Sequence, residues 1–183
     1  MEIFKEIKDI DHKLIAKESN NIIEQVGWNN CQICLQYSDT ISYHDDVDKY
    51  GSTRIEHECV NYHPDLEGSY IKKVLTELDF PVASARLMFL HERSCYSTHV
   101  DLYTRYHIPI ISDPKLSYMV FPDIPYVARM PYGKIYWTNT HQLHNFANGA
   151  HEPRVHIIFN NANEREYYDN PYIKELHGDR FTQ

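Results

Sequence analysis

The sequence predicts a mainly β protein with flanking helices, in which a strand-rich sandwich or barrel follows a helical N-terminal part. Three observations lead there. From Ala83 onward the short apolar runs ASARLMFLHE, RYHIPII, KLSYMVF, GKIYWTN and PRVHIIFN succeed one another, separated by the turn-forming stretches SDP, FPDIP, MPYG and NGAHEP. Before Pro81 the clearest apolar pattern is helical instead. A chain of 183 residues, 42% hydrophobic and 24% charged, has the size and composition of one folded domain spanning 1–183.

The opening MEIFKEIKDIDHKL mixes charges of both signs and lacks the apolar centre of a secretory signal, so the expected location is cytoplasmic. Over residues 12–26, Leu14, Ile22 and Val26 fall at helical spacing with Ile15 and Ile23 beside them, and Gly27 is placed to end the helix. Residues 31–38 alternate as a strand. Cys31 and Cys34 lie on it three apart, so they point to opposite faces and are expected to be free thiols, not clamps on one metal. From Thr40 to Gly68 the pattern dissolves into an acidic, His- and Tyr-rich stretch that suggests a lid over a site. His44, His57 and His63 sit there among Asp45, Asp46, Asp48, Glu56 and Glu58, and a solvated loop is preferred to a second metal site. A short helix over 69–78 leads to Pro81. The chain thus divides into a helical, lid-like part (1–80), a β core (81–160) and a tail (161–183) with at most a turn of helix.

Composition narrows the partners. Eighteen Lys and Arg against 26 Asp and Glu give a formal charge of −8, which argues against coating a phosphate backbone. No apolar run approaches the roughly 20 residues of a membrane span. The expected partner is a small molecule or a peptide, with neither nucleic acid nor membrane.

Chemistry enters at His99-Val100-Asp101. On extended backbone both side chains leave one face, forming two adjacent corners of a coordination polyhedron. Alone, such a tripeptide is an ordinary surface pair. The third corner comes from Thr140-His141-Gln142-Leu143-His144, where His141 competes with His144. The second is preferred because it leads directly into the turn at Asn148-Gly149. Two histidines and a carboxylate with open positions match the facial triad of non-haem iron(II) oxygenases, whereas a closed four-ligand zinc site leaves no room for substrate. Arg154 follows across that turn. If the two segments pair as a hairpin, its guanidinium faces the same interior as His144 and suits a bidentate pair with a dicarboxylic co-substrate. His91 and His156 are expected to pack or hydrogen-bond within the sheet, Trp137 to be core, and the strand tyrosines to be half-buried.

Taken in order, RLMFL, HVD, RYHIPI, GKIYWTNT, HNFAN and RVHIIF resemble the aspartyl/asparaginyl β-hydroxylase-like proteins, a family that includes free-proline hydroxylases; the likeness covers 83–160. The resemblance implies a double-stranded β-helix, or jelly roll, binding Fe(II) and 2-oxoglutarate and consuming O2. It implies His99, Asp101 and His144 as iron ligands and Arg154 as the anchor of the 2-oxoglutarate side-chain carboxylate. Arg105 and His107 would then contact a carboxylate of co-substrate or substrate. The implied reaction is hydroxylation of an unactivated C–H of an amino acid or peptide side chain, with release of succinate and CO2. Asp101 places the chain nearer the family's three-ligand branch than its peptidyl-Asp branch, and the 40–68 stretch matches nothing in it. A jelly-roll binding module without turnover, or a cupin-type enzyme using another divalent metal, are the alternatives. Arg154 separates the first reading from the last, since only a dicarboxylate requires it.

Overall fold

Helix α1 (His12–Val26) forms where the apolar spacing places it, and its ends explain its limits. The Asp11 carboxylate accepts from the Leu14 N–H at 3.1 Å as N-cap. Gly27, at φ 75° and ψ 165°, turns the chain out of the helix in a conformation that side chains disfavour. Helix α2 (Tyr70–Thr76) is capped twice over. Ser69 Oγ accepts from Lys72 N, and the Glu18 carboxylate of α1 accepts from both Tyr70 N and Ile71 N at 2.9 Å, which docks the second helix on the first. The computed structural model describes residues 1–39, 43 and 56–164. Most of the expected lid, with His44, Asp45, Asp46 and Asp48, and most of the expected tail lie outside the described residues.

Among the described residues, twelve strands follow the order β1 (Phe4–Asp9), β2 (Gln32–Cys34), β3 (Gln36–Tyr37), β4 (Asn61–Tyr62), β5 (Val82–Leu90), β6 (Ser94–Cys95), β7 (Arg105–Ile111), β8 (Ser117–Phe121), β9 (Tyr126–Arg129), β10 (Lys134–Thr138), β11 (Asn145–Asn148) and β12 (Arg154–Asn161). A six-stranded sheet runs β1-β10-β7-β12-β5-β2, and a four-stranded sheet runs β6-β11-β8-β9. Strands β5 to β12 pair antiparallel from the outside in: β5 with β12, β6 with β11, β7 with β10, β8 with β9. That is one long hairpin wound into two facing sheets, a jelly roll.

Period two assigns the faces. Val155, Ile157 and Phe159 of β12, with Tyr106, Ile108 and Ile110 of β7, join Ile15, Ile22, Ile71 and Leu75 of the helices in one core. The alternate residues turn inward between the sheets, where Leu90, Met119, Phe121, Tyr136 and Phe146 make a second, smaller core beside a cavity. Strand β1 is an addition to the sequence reading. Its charged residues hide the alternation, and pairing with β10 makes it the edge of the larger sheet. Trp137 is partly buried against the helical core, with its indole N–H donating to Thr104 Oγ1 at 2.9 Å. Tyr103 and Tyr136 are fully buried, not half-buried. None of the four cysteines is in a disulfide among the described residues.

Candidate metal centre

The three proposed ligands meet where the arms of the wound hairpin cross from one sheet to the other. His99 and His144 form an antiparallel bridge, each backbone N–H donating to the other's carbonyl at 2.9 Å. Directly opposed residues of such a pair share a face. Asp101 N–H donates to Thr140 O at 2.9 Å, and its carboxylate comes to that face. Asp101 Oδ1 lies 3.6 Å from His99 Nε2, and Oδ2 lies 3.9 Å from His144 Nε2. One ligand atom from each residue falls within 4.8 Å of the others.

Both rings are oriented through their second nitrogen. His99 Nδ1 is 2.7 Å from Ser97 O, and His144 Nδ1 is 2.9 Å from Gln142 O. A carbonyl only accepts, so each Nδ1 carries the proton and each Nε2 presents a lone pair to the centre. Burial, opposed by Asp101, holds His144 below the usual histidine range. Burial would raise the Asp101 carboxyl, but Arg105, then His144 and His99, outweigh it and hold it low. His141 points elsewhere: its Nε2 is 3.0 Å from Glu164 Oε1 and its Nδ1 is 3.2 Å from Asp101 O.

A cavity of about 530 Å³ opens beside the trio, lined also by Arg86, Arg105, His107, Phe146, Arg154 and Ile158. Arg154 is 2% exposed, its guanidinium stacked 3.9 Å over the Phe146 ring. Its Nε has no hydrogen-bond partner, and no carboxylate among the described residues pairs with it. Burial pulls its pKa down to about 10, with the neighbouring Tyr96 hydroxyl acting the other way. The hairpin expected between His144 and Arg154 is not formed. β11 pairs with β6 and β8 and β12 with β5 and β7, because the turn between them crosses sheets. The two side chains reach the common interior from opposite walls.

His107 and His156 are 4% and 0% exposed, with rings 5.8 Å apart at 78°. None of their four ring nitrogens has a hydrogen-bond partner among the described residues. Burial first, then Arg154, holds both well below the ordinary histidine value, so both are neutral. His156 packs within the sheet as expected but makes no bond there. Arg105 lines the cavity, with its guanidinium engaged: Nε donates to Asp101 Oδ2 at 2.9 Å, NH2 to Glu56 Oε1 at 3.1 Å, and NH1 to Glu56 Oε2 and Asn160 Oδ1. Arg86 and Asn160 escaped the sequence reading, and Glu56 figured there only as one acid of a solvated loop, whereas it pairs with Arg105 beside the centre. The one available signal was Arg86 interrupting the apolar run ASARLMFL. From the old loop candidates, His57 Nδ1 is 2.9 Å from Tyr103 OH and His63 stacks on Tyr43 at 3.5 Å.

No protein-family model matches the chain, and no curated protein matches it. Solved structures do. The viral collagen prolyl hydroxylase vCPH from Paramecium Bursaria Chlorella virus-1, crystallised as a 2OG complex, aligns at a TM-score of 0.51 and 10% identity over 86% of this chain and 94% of that one. Its truncated form aligns at 0.50 and 9% identity, over 86% and 88%. AviO1 from Streptomyces viridochromogenes Tue57 aligns at 0.48 and 13%, over 90% and 91%. The likeness to the viral prolyl hydroxylase, at such identity, establishes the jelly-roll fold alone, and the resemblance to aspartyl/asparaginyl β-hydroxylase-like proteins rests on the motifs. No helix among the described residues is long and apolar enough to cross a membrane.

Proposed function

We propose that this chain is an Fe(II)- and 2-oxoglutarate-dependent dioxygenase that hydroxylates an unactivated C–H of an amino acid or a peptide side chain. One observation carries the proposal: a two-histidine, one-carboxylate trio faces a cavity whose far wall holds a buried arginine with no carboxylate partner among the described residues. A structural zinc site needs no such arginine, and a buried guanidinium without a carboxylate partner is costly unless a ligand completes it. The orphaned nitrogens of His107, which lines the cavity, fit the same reading, since a ligand with several oxygens supplies their partners.

His99, Asp101 and His144 would hold the metal on one face, leaving its other positions toward the cavity. Bound there, Fe(II) with 2-oxoglutarate supplies the oxidative decarboxylation to succinate and CO2 that drives oxygen insertion into a C–H bond. The chain's own residues bind and orient. Ser97 O and Gln142 O fix the imidazole tautomers; Arg154 takes the far carboxylate of the co-substrate over Phe146; neutral His107 offers one donor and one acceptor. Met88, Met119 and Ile158 line the cavity with apolar surface that keeps water from the reacting carbon.

The test is anaerobic addition of Fe(II) and 2-oxoglutarate. A weak metal-to-ligand charge-transfer band in the visible range is expected, and His144→Ala should abolish it. Well-folded, iron-loaded protein without the band refutes the proposal. Succinate release on admitting O2, screened against amino acids and short peptides, then separates turnover from binding and names the substrate.

A further inference from the structure

Glu56 stands outside every motif, yet its carboxylate is the hub of the polar network beside the metal centre. Glu56 Oε2 accepts from Arg105 NH1 and Asn160 Nδ2, while Oε1 accepts from Arg105 NH2 at 3.1 Å and lies 3.6 Å from Arg86 NH2. Three strands of the larger sheet, β7, β12 and β5, thus send one polar side chain each to a single carboxylate. Its backbone is tied down as well. Cys59 N–H donates to Glu56 O at 3.2 Å, and Ser84 N–H donates to Cys59 O at 2.8 Å. Ser84 adopts φ 56°, a left-handed conformation that non-glycine residues take at a cost, and its Oγ accepts from Arg86 NH1 at 2.6 Å. Local strain is therefore maintained where the segment carrying Glu56 attaches to β5.

We infer that Glu56 is a positioning residue for the metal centre, acting through Arg105 on the carboxylate of Asp101. The inference rests on the proposed metal role of Asp101. A carboxylate rotates broadly about its last torsion, so an isolated Asp101 presents either oxygen in many orientations. The Arg105 Nε–H, donating to Oδ2 at 2.9 Å, picks one orientation and leaves Oδ1 beside His99 Nε2. Arginine is itself long and flexible. The two-pronged pair with Glu56 removes that freedom, because the planar fork engages both carboxylate oxygens while Nε stays directed at Asp101. The charges also close: Glu56 and Asp101 face Arg86 and Arg105, two anions against two cations. Without Glu56, Arg105 keeps Asp101 as its carboxylate partner and competes with a metal for its electrons.

Co(II) titration of the apoprotein, followed by its visible d–d absorption, tests this without turnover. Glu56→Gln keeps the shape but places an amide N–H₂ against a guanidinium. It is expected to weaken Co(II) binding about 10- to 100-fold, the usual range for losing a group that orients a ligand, and to shift the d–d bands. Arg105→Gln should do the same, and the double variant should bind no more weakly than Arg105→Gln alone. Losses that multiply, or unchanged affinity in a Glu56→Gln protein that is only less heat-stable, overturn the inference, since a bracing role moves stability and not the spectrum. Should Glu56→Gln fail to fold, Arg105→Lys is decisive: it keeps the positive charge but lacks the fork, and undiminished Co(II) affinity overturns the relay. A wild-type protein that holds no Co(II) refutes the metal reading itself, and the relay with it.

Discussion

Replacing Arg154 by Met separates ligand binding from folding in opposite directions. The guanidinium is 2% exposed, has no carboxylate partner among the described residues, and rests 3.9 Å over Phe146. Truncating one partner of a buried charge pair costs about 2–5 kcal/mol, so 2-oxoglutarate affinity should fall about 30-fold to several-thousand-fold. Folding of the ligand-free protein should respond otherwise. Met removes a buried charge that no described carboxylate balances, at the cost of its hydrogen bond with Tyr96, and replacing buried charges by apolar groups is often neutral or stabilising by about 1–4 kcal/mol. Loss of the contact with Phe146, about 2 kcal/mol when desolvated, offsets part of that. The net expectation is an unchanged or higher melting temperature, with each kcal/mol worth roughly 2–4 °C at this chain length. Calorimetric titration of 2-oxoglutarate into anaerobic metal-loaded protein, beside thermal melts without ligand, measures both. Undiminished 2-oxoglutarate affinity refutes the assignment. A fall in ligand-free stability of about 3 kcal/mol or more would mean that Arg154 serves a protein-internal ion pair instead.

His141→Asn should leave Co(II) affinity within about twofold of wild type, because the ring faces Glu164; a loss comparable to that in His144→Ala would reassign the third ligand. His156 is buried neutral while the unfolded histidine protonates near 6.5, so the unfolded state binds more protons and acid lowers stability from that value downward, by up to about 1.4 kcal/mol per pH unit. His156→Asn should flatten the dependence of the urea midpoint between about pH 7.5 and 5.5, and an unaltered slope contradicts the burial argument. Gly27→Ala meets no atom within 4 Å at its new Cβ but must hold φ near +75°, so its cost, about 1–3 kcal/mol by urea unfolding, is backbone strain alone; a neutral substitution would disprove the helix exit.

Local rules reached a good part of this molecule. The spacing of Leu14, Ile22 and Val26 placed α1 at its observed limits, and short apolar runs between turn-forming stretches located β5, β7, β8, β10 and β12. They failed where the pattern was diluted: β1 carries charges on its open side, and β6 is only two residues long. At the site, the two-residue spacing of His99 and Asp101 was legible because strand geometry alone puts them on one face. His144 was preferred to His141 only on the turn that follows it; the physical reason, that His144 opposes His99 across a loop of the wound hairpin, came from the tertiary structure.

What the sequence by itself determined is the set of chemical groups and the period that sorts them: Arg154, His156 and Ile158 to one face of β12, Val155, Ile157 and Phe159 to the other. Which faces meet was decided by the tertiary structure. Winding of the hairpin sends β11 and β12 into opposite sheets, so His144 and Arg154 confront each other across a cavity instead of lying side by side. Glu56 shows the limit most plainly. In the sequence it is one acid among many, because a carboxylate carries no record of its partner. Only the path of the chain back onto β5 sets it between Arg86 and Arg105, with Asp101 held beyond.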